Sequence, residues 1–135
     1  MAQLFPYLLF DGNCGEALQF YARLFQGRIE VLSRVGESPM AAQFPKRSAH
    51  RVIHGRLSIA GCTLMASDWM AAAAYPGIRG VRVMLAYPHA ENATHAFEAL
   101  GIGGRVEMPL QATPFARAYG TLTDRFGVPW QVMVE

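Results

Sequence analysis

A short sequence that occurs twice constrains the fold of this chain more than any other feature. Residues 27–31 read GRIEV, and residues 104–108 read GRVEM. Each copy follows a strand-like apolar run and a helix-like amphipathic run, and the two halves align with an offset of about 76 residues. Such self-similarity indicates a duplicated module, so we expect two copies of one unit of strands and a helix.

The length and composition favour one globular domain. With 135 residues, of which 52% are hydrophobic and 16% charged, the chain is long enough and apolar enough to bury a core. We predict a single domain made of module 1, about residues 3–68, and module 2, about residues 80–135, joined by a short linker. Two cysteines are too few for a disulfide framework.

Charge and hydropathy exclude two classes of partner. The formal net charge is only +2 and the arginines are scattered along the chain, so we expect no nucleic acid. No apolar stretch approaches the roughly 18 residues of a membrane helix, so we expect no membrane. The first residues lack a charged leader segment, which favours a cytoplasmic location. The high apolar fraction and the unpaired edge strands of two open modules predict a homodimer.

The first module begins with a strand, a turn and a helix. Residues 4–10 are apolar and rich in aromatic side chains, and residues 11–13 (Asp-Gly-Asn) supply a turn and a helix N-cap. From Cys14 onward, apolar side chains recur at three- and four-residue steps, namely at Ala17, Phe20, Tyr21, Leu24 and Phe25. We expect this helix to end with Gly27 in the C′ position.

Three more strands complete the first module. Residues 28–34 predict the second strand, and residues 35–49 predict an inserted loop that the second module lacks. Residues 51–59 and 62–67 predict a hairpin that turns at residues 60–61 (Ala-Gly). The module is therefore a βαβββ unit.

The second module repeats this order after a linker. Residues 68–80 form the linker, with room for one helical turn. A strand over residues 81–87 leads into a helix from Ala90, which the glycines of residues 101–104 end. Three further strands are predicted at residues 105–108, 118–123 and 129–134, with a loop at residues 109–114.

Four segments of the chain carry a family resemblance. They are residues 6–21 (PYLLFDGNCGEALQFY), 54–57 (HGRL), 108–111 (MPLQ) and 122–127 (LTDRFG). With them the chain resembles the PhnB-like branch of the glyoxalase/bleomycin-resistance/dioxygenase (vicinal oxygen chelate) superfamily, over nearly its whole length. The first and last segments together are the most specific part of this resemblance.

The resemblance implies a fold and a class of chemistry. The implied fold is α+β, with two βαβββ modules that form an open, curved eight-stranded mixed sheet whose concave face holds a small molecule, commonly in a homodimer. The superfamily's usual chemistry needs a divalent metal, held by His, Gln or Glu from the first and last strand of each module. Members with this metal are lyases, isomerases or dioxygenases.

The metal ligands implied by the resemblance are largely missing from this chain. The first position falls at or beside Pro6, between Phe5 and Tyr7. The other three fall at Leu64 or Met65, at Val81 or Arg82, and at Gln131. Only Gln131 offers a credible donor to a hard cation, and one amide cannot hold a metal ion. We therefore predict no metal and no other cofactor, and a divalent metal with an unusual ligand set remains the alternative.

His54 is the one candidate catalytic residue. It belongs to the HGRL strand and, if even-numbered positions face the concave side, it lies in the cavity beside Arg56. Its reference pKa near neutrality suits a general acid or base, although a histidine satisfied within a strand is the plainer interpretation. The predicted ligand-binding residues are Tyr7, Arg56, Met65, Phe115, Tyr119 and Gln131.

The two cysteines and three of the arginines allow further hypotheses. Cys14 lies in the first helical turn, where a solvated thiol would be activated, but a packing role is the commoner explanation. Cys62 leads into a buried strand and is expected in the core. Three arginines could bind a carboxylate or phosphate, or could simply be solvated, namely Arg56, Arg82 and Arg117.

Two classes of function follow from these observations. The first is a small-molecule binding protein that works without the usual metal, with its pocket closed by the loop at residues 35–49. The second is a metal-dependent or His54-assisted lyase, isomerase or dioxygenase. Part of the family carries a methyltransferase label, but residues 11–15 are too short and lie in the wrong context to be a nucleotide-binding glycine loop.

Overall fold

The computed structural model describes residues 1–135. The chain divides into two compact units, Met1–Gly77 and Ile78–Glu135. Each unit contains one α-helix and one four-stranded sheet. No helix is long and apolar enough to cross a membrane.

The first unit is a βαβββ module. Its sheet has the order β1-β4-β3-β2, with β1 parallel to β4 and the other neighbours antiparallel. The elements are β1 (Tyr7–Phe10), α1 (Cys14–Leu24), β2 (Arg28–Arg34), β3 (Val52–Ile59) and β4 (Cys62–Asp68).

The second unit repeats this topology. Its sheet has the order β5-β8-β7-β6, again with only the first two strands parallel. The elements are β5 (Val83–Tyr87), α2 (Ala90–Gly101), β6 (Arg105–Thr113), β7 (Ala116–Thr123) and β8 (Pro129–Val134). The predicted fold class, α+β with two βαβββ modules, is confirmed.

In each unit the helix packs against one face of the sheet over a glycine. A Cβ added to Gly55 in β3 would lie 2.5 Å from Cδ1 of Leu18 in α1. A Cβ added to Gly120 in β7 would lie 2.9 Å from Cε2 of Phe97 in α2. These glycines let the backbones of helix and sheet approach closely, and the opposite face of each sheet stays free of its helix.

The glycine that opens each repeated pentapeptide has a steric role. A Cβ on Gly27 would lie 2.6 Å from the carbonyl oxygen of Ser58, and a Cβ on Gly104 would collide with the carbonyl oxygen of Thr123. Both oxygens belong to the strand that pairs with the one starting at the next residue. The two modules therefore share the same close approach, which explains why the glycine recurs.

The predicted role of Gly27 as the left-handed residue after α1 is wrong. Gln26 occupies that conformation, with φ of 53°, and Gly27 does not have a positive φ. Phe25 is the C-cap, and its N–H donates to the carbonyl oxygen of Tyr21. The sequence pointed to the right glycine, but contact with the neighbouring strand, and not backbone conformation, requires it.

Other boundaries also differ from the sequence expectation. Residues 109–114 were expected to be a loop, but β6 extends to Thr113 as an irregular edge strand with several register shifts. An edge strand accommodates Pro109 because it need not donate a hydrogen bond on both sides. The linker contains no helix, and β4 runs on to Asp68. The inserted loop forms three short 3-10 turns, at Val35–Glu37, Ala41–Gln43 and Lys46–Ser48.

We predict that Gly104→Ala lowers the free energy of unfolding by about 1 to 3 kcal/mol, because the new methyl group overpacks against the backbone of β7. Urea denaturation measures the change. Gly101→Ala is the matched control, since a Cβ there lies 3.6 Å from its nearest neighbour, Cγ2 of Val106, at an ordinary contact distance. Equal stability of the two variants would contradict the steric explanation.

Candidate functional site

Three of the predicted ligand-binding residues form a row across the helix-free face of the first sheet. Tyr7 of β1 pairs with Met65 of β4, and Met65 pairs with Arg56 of β3. The next row, which contains Gly55, faces α1. Because side chains alternate between the faces of a sheet, the row with Tyr7 points away from the helix. Arg56, an even-numbered position of β3, therefore lies on the helix-free face.

His54 contacts Tyr7 on this face. The Tyr7 hydroxyl oxygen lies 3.1 Å from Nδ1 of His54, and the two rings stack with centroids 5.8 Å apart. The phenol donates to Nδ1 when the imidazole proton is on Nε2, and it accepts from Nδ1 in the other tautomer. Both side chains keep contact with solvent.

Arg56 is held at the edge of the same row. Its Nε lies 3.6 Å from Oε1 of Glu30, and its guanidinium lies over the ring of Phe5, 5.3 Å from the centroid. About one third of the side chain is exposed, 34%. The ion pair and the aromatic contact fix the direction of the guanidinium, while part of it remains open to a ligand.

The other predicted residues lie on the helix-free face of the second sheet. Gln131 of β8 pairs with Met84 of β5 on one side and with Thr121 of β7 on the other. Two residues further along β8, Met133 pairs with Tyr119. The rings of Tyr119 and Phe115 pack edge to face with centroids 5.0 Å apart, at the hairpin that joins β6 and β7.

An open pocket of about 540 Å³ adjoins Gln131 in the second unit. A network of polar groups lines it, centred on Glu107. Arg82 Nη1 lies 2.9 Å from Oε1 of this carboxylate, and the Thr123 hydroxyl donates to Oε2 at 2.9 Å. Burial alone would raise the pKa of Glu107, but hydrogen bonds from Thr123, Arg82 and Arg105 outweigh it and lower the pKa. The carboxylate therefore stays ionised. It offsets much of the positive charge of Arg82 and Arg105.

Two of the three arginines proposed for anion binding make structural contacts. Arg82 bonds to Glu107 and also donates to the carbonyl oxygen of Trp130 at 3.3 Å. Arg117 donates from Nε to the carbonyl oxygen of Glu135 at 2.5 Å and from Nη2 to that of Pro88 at 2.6 Å. These contacts engage Nη1 of Arg82 and both Nε and Nη2 of Arg117 within the protein, whereas Arg56 makes one ion pair and one aromatic contact.

The residues at the implied metal positions do not form a ligand set for a hard cation. The register identifies them as Tyr7 with Met65 in the first unit, and Met84 with Gln131 in the second. The choice of Val81 or Arg82 from sequence was out of register, because Met84 is the residue of β5 that stands opposite Gln131. No group of three or more His, Cys, Asp or Glu side chains lies close enough to hold a metal ion. Two thioethers, a phenol and one amide do not fit the oxygen and nitrogen preferences of Mg²⁺, Mn²⁺ or Zn²⁺.

Sequence reasoning missed two buried aspartates that hold the sheets to their turns. Asp68 ends β4, is 1% exposed, and accepts hydrogen bonds from the backbone N–H groups of Gly12, Cys14 and Val52 at 2.8, 3.0 and 2.7 Å. It thereby caps α1 from a distant strand. The sequence gives no signal for this role, since the three donors come from two other segments of the chain.

Asp124 has a similar role in the second unit. It accepts from the backbone N–H groups of Phe126 and Val128, at 2.9 and 3.0 Å, and from Nε1 of Trp130 at 2.8 Å. Trp130 is 1% exposed and belongs to the core, so it does not line a ligand surface. Within the LTDRFG segment Leu122, Asp124 and Phe126 are buried, and the carboxylate of Asp124 holds the turn together.

The two cysteines have opposite environments. Cys14 is fully buried, and burial, together with the nearby charge of Asp68, raises the pKa of its thiol to about 12 despite the opposing effect of Arg34. This supports the packing role. The expectation that Cys62 is a core residue is wrong, because it follows the Ala60-Gly61 turn at the hairpin tip, where it is exposed.

The chain is similar to proteins with known sequences and structures over its full length. A family model described as 3-demethylubiquinone-9 3-methyltransferase matches residues 2–133. Protein YjdN of Escherichia coli (strain K12) is 33% identical over 144 residues, which cover 97% of this chain and 94% of that protein.

Solved structures agree with these sequence matches. Protein PA1353 from Pseudomonas aeruginosa is 39% identical, with a TM-score of 0.91 over 100% of this chain and 98% of that chain. A putative 3-demethylubiquinone-9 3-methyltransferase, PhnB protein, from Bacillus cereus is 26% identical, with a TM-score of 0.84 over 99% and 100%. A glyoxylase/bleomycin resistance protein/dioxygenase domain from Frankia sp. EAN1pec shares the fold, with a TM-score of 0.66 at 12% identity over 99% and 97%.

We predict that only Cys62 reacts with iodoacetamide in the folded protein near pH 8. Cys14 is buried, and its raised pKa keeps the thiol protonated at this pH, whereas Cys62 is exposed. Mass spectrometry should find one label on the native chain, two labels in urea, and none on native Cys62→Ser. Fast labelling of Cys14 in the native protein would contradict the structure.

Proposed function

Because the chain belongs to the PhnB-like branch of the glyoxalase/bleomycin-resistance superfamily, we propose that it binds a small organic molecule on the helix-free faces of its sheets, without the usual divalent metal. The observation that carries this proposal is the identity of the paired residues at the implied metal positions. Tyr7 with Met65, and Met84 with Gln131, present mainly apolar and polarizable groups to a ligand.

The exposure of these side chains supports binding of an apolar molecule. Tyr7 is 45% exposed and Met84 is 44% exposed, and both lie on the helix-free face of an outer strand, β1 and β5 respectively. Exposed apolar surface of this kind is typical of binding sites. Aromatic and thioether groups with a few polar neighbours are the usual lining of small-molecule sites.

The methyl transfer named in the family description is not the function we propose. A bound nucleotide would need free backbone N–H groups in a glycine turn ahead of a helix. In the turn before α1, the N–H groups of Gly12 and Cys14 already donate to the buried carboxylate of Asp68. The turn therefore has a structural partner in place of a ligand.

The contact between Tyr7 and His54 favours a second candidate function, proton-transfer catalysis without a metal. A histidine paired with a phenol on an open face can take a proton from a bound substrate and return it. With hydroxyacetone in D₂O as the probe, such an enzyme would exchange the hydrogens next to the carbonyl group. His54→Gln would abolish this exchange, and absence of exchange in the parent protein would exclude this candidate for that substrate.

We also propose that the protein is a cytoplasmic homodimer. Each sheet ends in two edge strands, β1 and β2 in the first unit and β5 and β6 in the second. Edge strands and exposed apolar side chains such as Val31 and Met108 suit a contact with a second copy. A monomer in sedimentation at micromolar concentration would contradict this proposal.

We predict that the uncharged dye N-phenyl-1-naphthylamine binds saturably, and that Met65→Lys or Met84→Lys weakens its binding about tenfold, because a charge would then lie against an apolar ligand. Dye fluorescence measures the affinity. A loss in one variant alone would assign the dye to that sheet.

Gln19→Lys serves as the matched control, since it adds the same charge at an exposed position on α1, away from the helix-free face. The proposal fails if the dye does not saturate. It also fails if neither methionine variant loses more affinity than the Gln19 variant does.

A further inference from the structure

A second pocket, of about 390 Å³, lies in the first unit apart from the row of Tyr7, His54 and Arg56. Its walls are the inserted loop, at residues 44–48, and the segment after β4, at residues 69–75. We propose that this pocket is a second small-molecule site, which takes a planar aromatic molecule carrying one anionic group. Its volume is within the range of about 300 to 1,000 Å³ that is typical of such sites.

The aromatic wall of the pocket is held in place by the protein itself. Nε1 of Trp69 donates to the carbonyl oxygen of Ala73 at 2.7 Å, and the Tyr75 hydroxyl donates to that of Leu9 at 2.6 Å. The two rings pack edge to face with centroids 6.1 Å apart. Because their polar ends are satisfied within the chain, the rings are fixed in position and offer apolar surface to a flat ring.

The wall also stays uncharged. Burial raises the pKa of Tyr75, and the nearby carboxylates of Asp11 and Asp68 raise it further, so its phenol keeps its proton at neutral pH. Phe44, from the inserted loop, adds a third aromatic side chain to the lining. The pocket therefore combines aromatic groups from both of its walls.

The charged groups favour a ligand with one negative charge. Arg51 and Asp11 form an ion pair at 3.2 Å, and Arg51 also donates to the carbonyl oxygen of Trp69 at 2.9 Å, so these two charges offset each other. Arg47 lines the pocket from its exposed position in the last 3-10 turn and forms no ion pair. Its guanidinium is the free cation of the pocket and can bind a carboxylate through two parallel hydrogen bonds.

The position of the pocket separates it from the duplicated site. Residues 35–49 are an insertion of the first module, so the second module has no counterpart of the wall that contains Phe44 and Arg47. Binding here uses none of Tyr7, Met65, Met84 or Gln131. The second site therefore stands or fails independently of the proposed function of the helix-free faces.

Nuclear magnetic resonance of the ¹⁵N-labelled full chain, titrated with 1-naphthoate, tests the proposal. The protein has two tryptophans, and Trp130 is 1% exposed in the core of the other unit, so its indole signal is an internal reference. We expect saturable shifts of the Trp69 indole N–H and of the amides of residues 71–73, with no shift of the Trp130 indole.

Two variants make the result specific. Arg47→Gln should weaken 1-naphthoate binding about fivefold, because it removes the partly exposed ion pair between the guanidinium and the carboxylate of the ligand. Lys46→Gln removes the same charge from the same turn but does not line the pocket, so it should bind like the parent protein. Uncharged 1-naphthalenemethanol should bind the parent no more tightly than 1-naphthoate binds Arg47→Gln.

The proposal is overturned if the Trp69 signal does not shift saturably at millimolar 1-naphthoate. It is also overturned if Arg47→Gln and Lys46→Gln weaken binding equally, since the anion would then respond only to the general charge of the loop. Loss of dye binding on the helix-free faces, with 1-naphthoate binding retained, would contradict the proposed function and leave the second site supported.

Discussion

The packing of a helix directly onto one face of each sheet is the constraint on which the rest of the structure depends. Glycines at positions 55 and 120 allow this close packing, because a Cβ at either position would lie within 3 Å of Leu18 or Phe97 of the helix above. With one face of each sheet covered in this way, the alternation of side chains leaves the other face to present Tyr7 and Gln131. Packing thus determines the residues on the sheet face that the helix covers, whereas the residues on the opposite face are not constrained by the helix.

The fold could be predicted from the sequence largely because it is duplicated. A pattern that occurs twice gives two independent chances to recognise each element, and the hairpin at residues 60–61 and strand β8 lie where their turn residues placed them. Prediction from the local sequence pattern failed where tertiary contacts determine the structure. Gly27 is required by the carbonyl oxygen of Ser58, which belongs to a strand far along the chain. The extent of β6 through Pro109 depends on its position at the edge of the sheet, which local sequence does not reveal.

Some residues of the candidate site could be named from the sequence, but the pairing of residues across neighbouring strands could not. The resemblance implied positions at or beside Pro6, at Leu64 or Met65, and at Gln131. It missed Met84, because a shift of two or three residues from Arg82 or Val81 changes which side chain stands opposite Gln131. The contact between Tyr7 and His54 and the hydrogen bonds that Asp68 accepts join segments far apart in the chain, which local sequence does not reveal.

The central claim is that this chain keeps the superfamily's fold while its paired strand positions no longer suit a divalent metal. Titration calorimetry of chelator-treated protein with Zn²⁺, Ni²⁺ and Mn²⁺, compared with the Gln131→Ala variant, tests it most directly. The account predicts no saturable binding at micromolar ion concentrations that distinguishes the two proteins. Tight binding of one ion per chain that is lost in Gln131→Ala would contradict it.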